Sequence, residues 1–327
     1  MELVSARQRR IAVWTLFLAL GIGIGFVAGW FIALQRIPGM RGSVVRLGGY
    51  DLISPLLACD IGKEEVFNEL TFIRNNVQST ISEEKSSGRA ISISVYMRLL
   101  NSSRWLEING SEKYTPASLL KVFVMMGFLK KAESDPSLLS RRIVFAGPSS
   151  GDSVHLGVGI SYRIDNLIRE MIVNSNNDAL HLLLSVVDVT AFDGIYKDLN
   201  ISVPPVQDEE RLNIMDPVSY SMVFRVLYGA TYLNREMSER GLQLLSESVD
   251  TGGLAAQLPT GTRVAHKFGL RRNDRSVELH DCGIIYYPEH PYLLCVMTRG
   301  THDGDLSDVI SRISKVAYDG VDTLFKR

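Results

Sequence analysis

Apolar and polar positions follow three different rhythms along this chain. From Ile11 to Leu34 there is no charged residue, a stretch longer than the roughly 20 residues a helix needs to cross a bilayer core. From residue 64 onward apolar positions recur instead at short intervals. Val66, Leu70, Ile73 and Val77 step by three and four, which predicts a helix over about 64–82. Ile91, Ile93 and Val95 alternate, and Trp105 to Ile108 follows after Asn101-Ser102-Ser103, which predicts a hairpin. The helical period governs 117–133, 164–187, 217–232 and 237–247. Strand-like runs return at Val264–Lys267, Cys282–Tyr287 and Tyr292–Thr298, the last two joined by Pro288-Glu289-His290-Pro291, and a helix closes the chain from Leu306 to Phe325.

Two strands, a helical middle, three strands and a terminal helix give an α+β plan, with an antiparallel sheet built from both chain ends and an all-helical lobe. The expected organisation is a cytoplasmic N-terminus at 1–10, a transmembrane anchor at 11–34, a linker at 35–63 and one domain at 64–327. Arg7, Arg9 and Arg10 precede the apolar run and Arg36 alone follows it closely, which puts the N-terminus in the cytoplasm and the domain outside. Gly21, Gly25 and Gly29 form a small-residue stripe on that helix, compatible with a homodimer. Pro38, several glycines and short apolar pieces mark a spacer able to dock on the domain.

The formal net charge is -1 with 35 basic and 36 acidic side chains, so no basic field favours nucleic acid. Cys59, Cys282 and Cys295 lack zinc-ligand spacing, and no structural metal or cofactor is expected. Cys282 and Cys295 flank the last hairpin turn and either bond across it or sit as two small buried residues, depending on register.

Three short motifs carry candidate chemistry. In Pro116-Ala117-Ser118-Leu119-Leu120-Lys121, a helix start puts Ser118 and Lys121 on one face. A lysine desolvated by apolar neighbours can take the serine proton, and a helix N-terminus favours a developing oxyanion. Ser-x-x-Lys alone is common by chance. In Asn174-Ser175-Asn176-Asn177, Ser175 could relay a proton and Asn177 offer an amide, although Ser and Asn also make ordinary helix caps. In His266-Lys267-Phe268-Gly269-Leu270, a lysine amid apolar residues either lines a cleft or marks an edge strand.

In this order and at these intervals, the three motifs resemble the Ser-x-x-Lys, Ser-Asp-Asn and Lys-Thr-Gly signatures of class A β-lactamases and penicillin-binding D,D-peptidases. The resemblance covers about 65–327. It implies Ser118 as acylated nucleophile, Lys121 as proton acceptor and Ser175 as relay to the leaving nitrogen. Asn177 and Lys267 would bind the substrate amide and carboxylate, and Gly269 and Leu270 would line the site. The N–H groups of Ser118 and Leu270 would form the oxyanion hole. Glu209, in Glu209-Glu210-Arg211-Leu212-Asn213, matches the family's deacylating glutamate, or else belongs to a solvated acidic loop. Asn176 and Phe268 depart from the pattern, and Phe268 removes a hydroxyl that would bond a β-lactam carboxylate. The implied activity is a membrane-anchored, extracytoplasmic serine hydrolase acting on β-lactam or related amides. The alternatives are a D,D-peptidase on cell-wall peptide, or a catalytically weak sensor or scaffold.

Overall fold

The computed structural model describes residues 44–46, 49–59, 70–102, 104–147, 155–187, 193–199, 201 and 214–326. The expected membrane span, its glycine stripe and Glu209 lie outside these. Among the described residues no helix is long and apolar enough to cross a membrane. The compact unit considered below comprises 46–56 and 66–327.

Its centre is a five-stranded antiparallel sheet. In chain order the strands are β1 (Ser92–Leu99), β2 (Trp105–Ile108), β5 (Val264–Arg272), β6 (Val277–Ile285) and β7 (Tyr292–Gly300). Their order across the sheet is β2-β1-β7-β6-β5, so both chain ends contribute and β5 is outermost. A separate two-stranded sheet joins β3 (Arg142–Val144) to β4 (Ser161–Arg163).

The sheet separates two cores. On one side Ile93, Val95, Met97, Leu279, Leu294 and Val296 pack with the terminal helices. These are α1 (Thr71–Ser86), which buries Ile73, Val77 and Ile81, and α8 (Asp303–Phe325), which buries Leu306, Val309, Ile310, Ile313, Ala317 and Val321. Both follow the three- and four-residue spacing of an apolar stripe. A Cβ at Gly320 would stand 2.7 Å from Ile73, so the two helices approach closely there. On the other side lies the helical lobe: α2 (Lys121–Ala132), α3 (Ile164–Val173), α4 (Asn177–Leu184), α5 (Asp193–Asp198), α6 (Pro217–Tyr228) and α7 (Arg235–Ser246). Helix α2 is buried nearly all round, as expected of a helix that is apolar on every face.

Several sequence expectations need adjustment. The periodic run 164–187 is broken at Asn174–Asn176 into α3 and α4, because Asn176 caps α4 by accepting from Ala179 N at 3.0 Å. Strands β5 and β6 extend well beyond their apolar cores, through Arg272 and back to Val277, around a turn in which Asn273 Oδ1 accepts from Ser276 N at 2.8 Å. Ser118 begins in a 3-10 turn, Ala117–Leu120, and α2 starts at Lys121. The spacer contains two short paired strands, Val44–Arg46 and Leu56–Cys59. Between them it docks: Leu52 and Ile53 are buried, the Glu239 carboxylate accepts the N–H groups of Leu52 (3.1 Å) and Ile53 (2.9 Å), and Tyr286 donates to Leu52 O at 3.0 Å. Cys282 and Cys295 stand directly opposite each other in the β6–β7 register and are disulfide-bonded.

Candidate active site

The segment entering the Ser118 turn is held from below by buried polar groups of the sheet. Thr115 N donates to Glu278 Oε2 at 3.0 Å, and Glu278 also takes Arg299 Nε at 2.8 Å. His280 accepts from Thr298 N at Nδ1 (3.2 Å), which leaves Nε2–H to donate to Thr115 O at 3.0 Å. Complete burial keeps that imidazole neutral by pushing its pKa down to about 4. From above, Tyr220 donates its hydroxyl to Leu119 O at 2.9 Å. Ala117 takes φ +48°, a conformation costly for a residue with a side chain, which persists because these contacts fix both ends of the turn. In a 3-10 turn residues three apart eclipse, so half-buried Ser118 and Lys121 share a face.

Lys121 is 1% exposed. Its ammonium donates to the Ser175 carbonyl and, at 3.2 Å, to Ser175 Oγ. Ser175 sits between α3 and α4 with φ +53°, in the break that the Asn176 cap creates. Lys267 reaches the same hydroxyl from β5, Nζ to Ser175 Oγ at 2.9 Å. Two lysines therefore converge on one serine side chain. Burial, and then the neighbouring Lys121 charge, push Lys267 down from 10.5 to about 7, against the opposing pull of Asp281 and Asp250. The two ammonium groups thus disfavour one another's charge at this one serine hydroxyl.

Strand β5 lies against that turn, and Gly269 makes the approach possible. A Cβ there would stand 2.6 Å from Pro116 O and 3.0 Å from Leu119 Cγ. Leu270 follows on this outermost strand, whose outward N–H groups face no neighbouring strand of the sheet. Arg271 donates to Thr115 Oγ1 at 3.2 Å, so it belongs to the strand and the turn rather than to solvent. Asn177, the first residue of α4, is half-buried two positions beyond Ser175. The structure thus gathers Ser118, Lys121, Ser175, Asn177, Lys267, Gly269 and Leu270 on three elements that meet, while Glu209 lies outside the described residues.

Sequence reasoning missed the group behind Lys267. His266 Nδ1 lies 2.9 and 3.0 Å from the two Asp281 oxygens, and both residues are buried. Asp281 Oδ2 also accepts from Leu254 N at 2.8 Å. Burial opposes charge on His266, but the Asp281 carboxylate, its hydrogen bond and Asp250 together raise the imidazole above its ordinary value. The potential ligand atoms of Asp250, His266 and Asp281 lie within 4.8 Å of one another. His266 and Asp281 form a hydrogen-bonded pair, and Asp250 beside them accepts from Gly252 N at Oδ1 (3.1 Å). The visible signal was a histidine beside the lysine and an aspartate at the start of the Asp281-Cys282-Gly283-Ile284 run.

Comparison with known proteins identifies the fold and the family. No curated protein is similar enough in sequence to match. Among solved structures, a PBP-A variant in an acyl-enzyme complex with penicillin G is 19% identical and superposes with a TM-score of 0.67, over 79% of this chain and 98% of its own. A β-lactamase from Sphaerobacter thermophilus is 20% identical (TM-score 0.65, 74% and 95% covered). The TLA-1 extended-spectrum β-lactamase is 18% identical (TM-score 0.66, 75% and 99% covered). These likenesses establish an α+β, class A β-lactamase-like fold. The model of the Beta-lactamase enzyme family matches residues 74–321, which span the sheet, the lobe and all three motifs, and the chain therefore belongs to that family.

Proposed function

We propose that this chain is a serine hydrolase that opens β-lactam or related amide bonds through an acyl-enzyme on Ser118. The observation that carries this is the convergence of Lys121 and Lys267 on Ser175 Oγ, beside a turn fixed so that Ser118 and Lys121 share a face. Ser118 Oγ attacks the carbonyl carbon while its proton passes to Lys121 Nζ in the neutral form. The proton taken up by Lys121 then passes through Ser175 Oγ, which gives its own proton to the leaving nitrogen as the C–N bond breaks and is reprotonated from Lys121 Nζ. Asn177 binds the substrate's side-chain amide, and the N–H groups of Ser118 and Leu270 receive the oxyanion. Water hydrolyses the ester, with Glu209 as the base we assign on its sequence match. Residues 11–34 would anchor the chain in a membrane, with the domain 64–327 outside the cell, on the evidence of the uncharged run and the arginines before it. The anchor could also pair with a second copy through Gly21, Gly25 and Gly29.

The test is intact mass over time with a penicillin, supplied as free acid and as methyl ester, for wild type, Ser118→Ala and Glu209→Gln. The expected result is an adduct of the whole β-lactam mass on wild type, absent in Ser118→Ala, decaying by turnover and persisting in Glu209→Gln. A wild-type adduct that never decays would instead indicate a penicillin-binding D,D-peptidase. No adduct from either form would remove the hydrolase assignment and leave a sensor or scaffold.

A further inference from the structure

A buried ammonium at the mouth of an acylation site is a natural anchor for a substrate carboxylate, yet here that ammonium is not presented. Lys267 has no exposed surface, its Nζ is engaged by Ser175 Oγ, and the Phe268 ring lies over it, centroid 4.0 Å away. Phe268 itself is only partly buried, so the ring is what an arriving molecule meets. Side chains 267 and 268 leave β5 toward opposite faces. Because β5 is outermost, both can still curl around the open edge of the sheet and meet.

The ring also lines a cavity of about 210 Å³ together with Leu270, Leu279 and Ile310, with Ser307 and the carboxylates of Asp250, Asp281 and Asp303 in its wall. The basic groups beside it are already engaged. His266 is paired with Asp281, Arg272 with Asp303, and Arg271 donates to Thr115. An aromatic face satisfies an ammonium through its quadrupole without neutralising it, and gives an anionic group nothing to bond. A carboxylate arriving here would lose its water against the Phe268 ring with three carboxylates behind it.

Resting on the assignment of Ser118 as nucleophile, we propose that Phe268 is a specificity-determining residue that selects acyl donors with no carboxylate beside the scissile bond. The preferred substrate class is an uncharged amide or lactam that lays an apolar group on the Phe268 ring. The departure at position 268 thus changes which substrates reach the Ser118 site.

The decisive comparison is the acylation rate of wild type by a penicillin free acid and by its methyl ester, read by intact mass under matched conditions. The ester should acylate Ser118 faster by about tenfold or more, since an unpartnered buried carboxylate costs at least that factor. In Phe268→Thr, which opens the ammonium and supplies a hydroxyl, the ratio should fall to unity or invert through a lower KM for the acid. Faster acylation of wild type by the acid, or a ratio that Phe268→Thr leaves unchanged, would overturn the specificity role while leaving Ser118 as nucleophile. Absence of an adduct on wild type from both compounds would overturn the Ser118 assignment, and this proposal with it. The wild-type ratio requires no variant to fold.

Discussion

The two faces of strand β5 do different work with alternating residues. Lys267, Gly269 and Arg271 face the Ser118 turn, where they supply an ammonium, permit close approach and bond Thr115. His266, Phe268 and Leu270 belong to the opposite face, where an ion pair with Asp281 and apolar contacts join the strand to the α8 side. A period of two puts reactive and supporting residues next to each other in sequence and on opposite sides of a sheet. Only at the edge do the faces communicate, through the Phe268 ring over Lys267 and through the charges of Asp250 and Asp281.

Changes to the turn-facing side should therefore strike acylation, and changes to the other side should strike stability and pH dependence. The largest effect is expected from Lys267→Met, which should lower the acylation rate about 10²- to 10⁴-fold in a stopped-flow or quenched mass assay. The same variant should be more favourable to stability, relative to wild type, at neutral pH than at high pH. A lysine whose pKa falls from 10.5 unfolded to about 7 folded destabilises the native state fully below 7, and that cost is relieved as pH rises toward 10. Denaturant midpoints of wild type should carry this rising contribution between pH 7 and 10, and those of Lys267→Met should lose it.

Gly269→Ala comes next. A Cβ 2.6 Å from Pro116 O must push β5 from the turn, costing about 1–3 kcal/mol. Acylation should fall on the order of 100-fold, because a displacement of that size misplaces the reacting groups; urea titration and acylation kinetics read the two effects. On the other face, Asp281→Asn leaves His266 without its carboxylate and should cost about 3 kcal/mol in urea titration. If it instead cost nothing in stability while abolishing acylation at every pH, the division between the faces would fail. Removing the disulfide as Cys282→Ala with Cys295→Ala should cost about 2–4 kcal/mol with acylation nearly unchanged, since the bond joins β6 to β7 and not to the turn.

The smallest and sharpest effect concerns the edge. Asp250 holds the Lys267 pKa up, so Asp250→Asn should move the limb of the acylation pH profile near 7 to lower pH, by less than about one unit. An upward shift would mean that the limb belongs to another group.

What could be read from the sequence divides along the same line. The residues that meet at the turn were legible because Ser118-Leu119-Leu120-Lys121, Asn174-Ser175-Asn176 and Lys267-Phe268-Gly269 are local patterns in a recognisable order. The sheet from both chain ends and the helical lobe followed from periodicity alone. The true extent of β5 and β6 did not, because Arg271, Arg272, Glu278, His280 and Asp281 interrupt the apolar pattern of a strand. They lie in strands because each finds a partner supplied by the fold: Thr115 for Arg271 and His280, Asp303 for Arg272, Arg299 for Glu278, His266 for Asp281. The disulfide was undecidable for a related reason, since a one-residue slip in register would have turned Cys282 away from Cys295. The break in 164–187 was signalled only by the capping ability of Asn176, which a helical period conceals.

The central claim is that Ser118 is the nucleophile, that Lys121 takes its proton, and that Ser175, held by Lys121 and Lys267, relays a proton to the leaving nitrogen. Its most direct test is to trap the adduct formed with a β-lactam methyl ester, digest the protein and sequence the modified peptide by tandem mass spectrometry. The expected result is a label on Ser118 in the peptide containing Ala117 to Lys121, with a rate of labelling that falls at least about 100-fold in Ser175→Ala. A label on any other residue, or one on Ser118 that forms equally fast without the Ser175 hydroxyl, would contradict it.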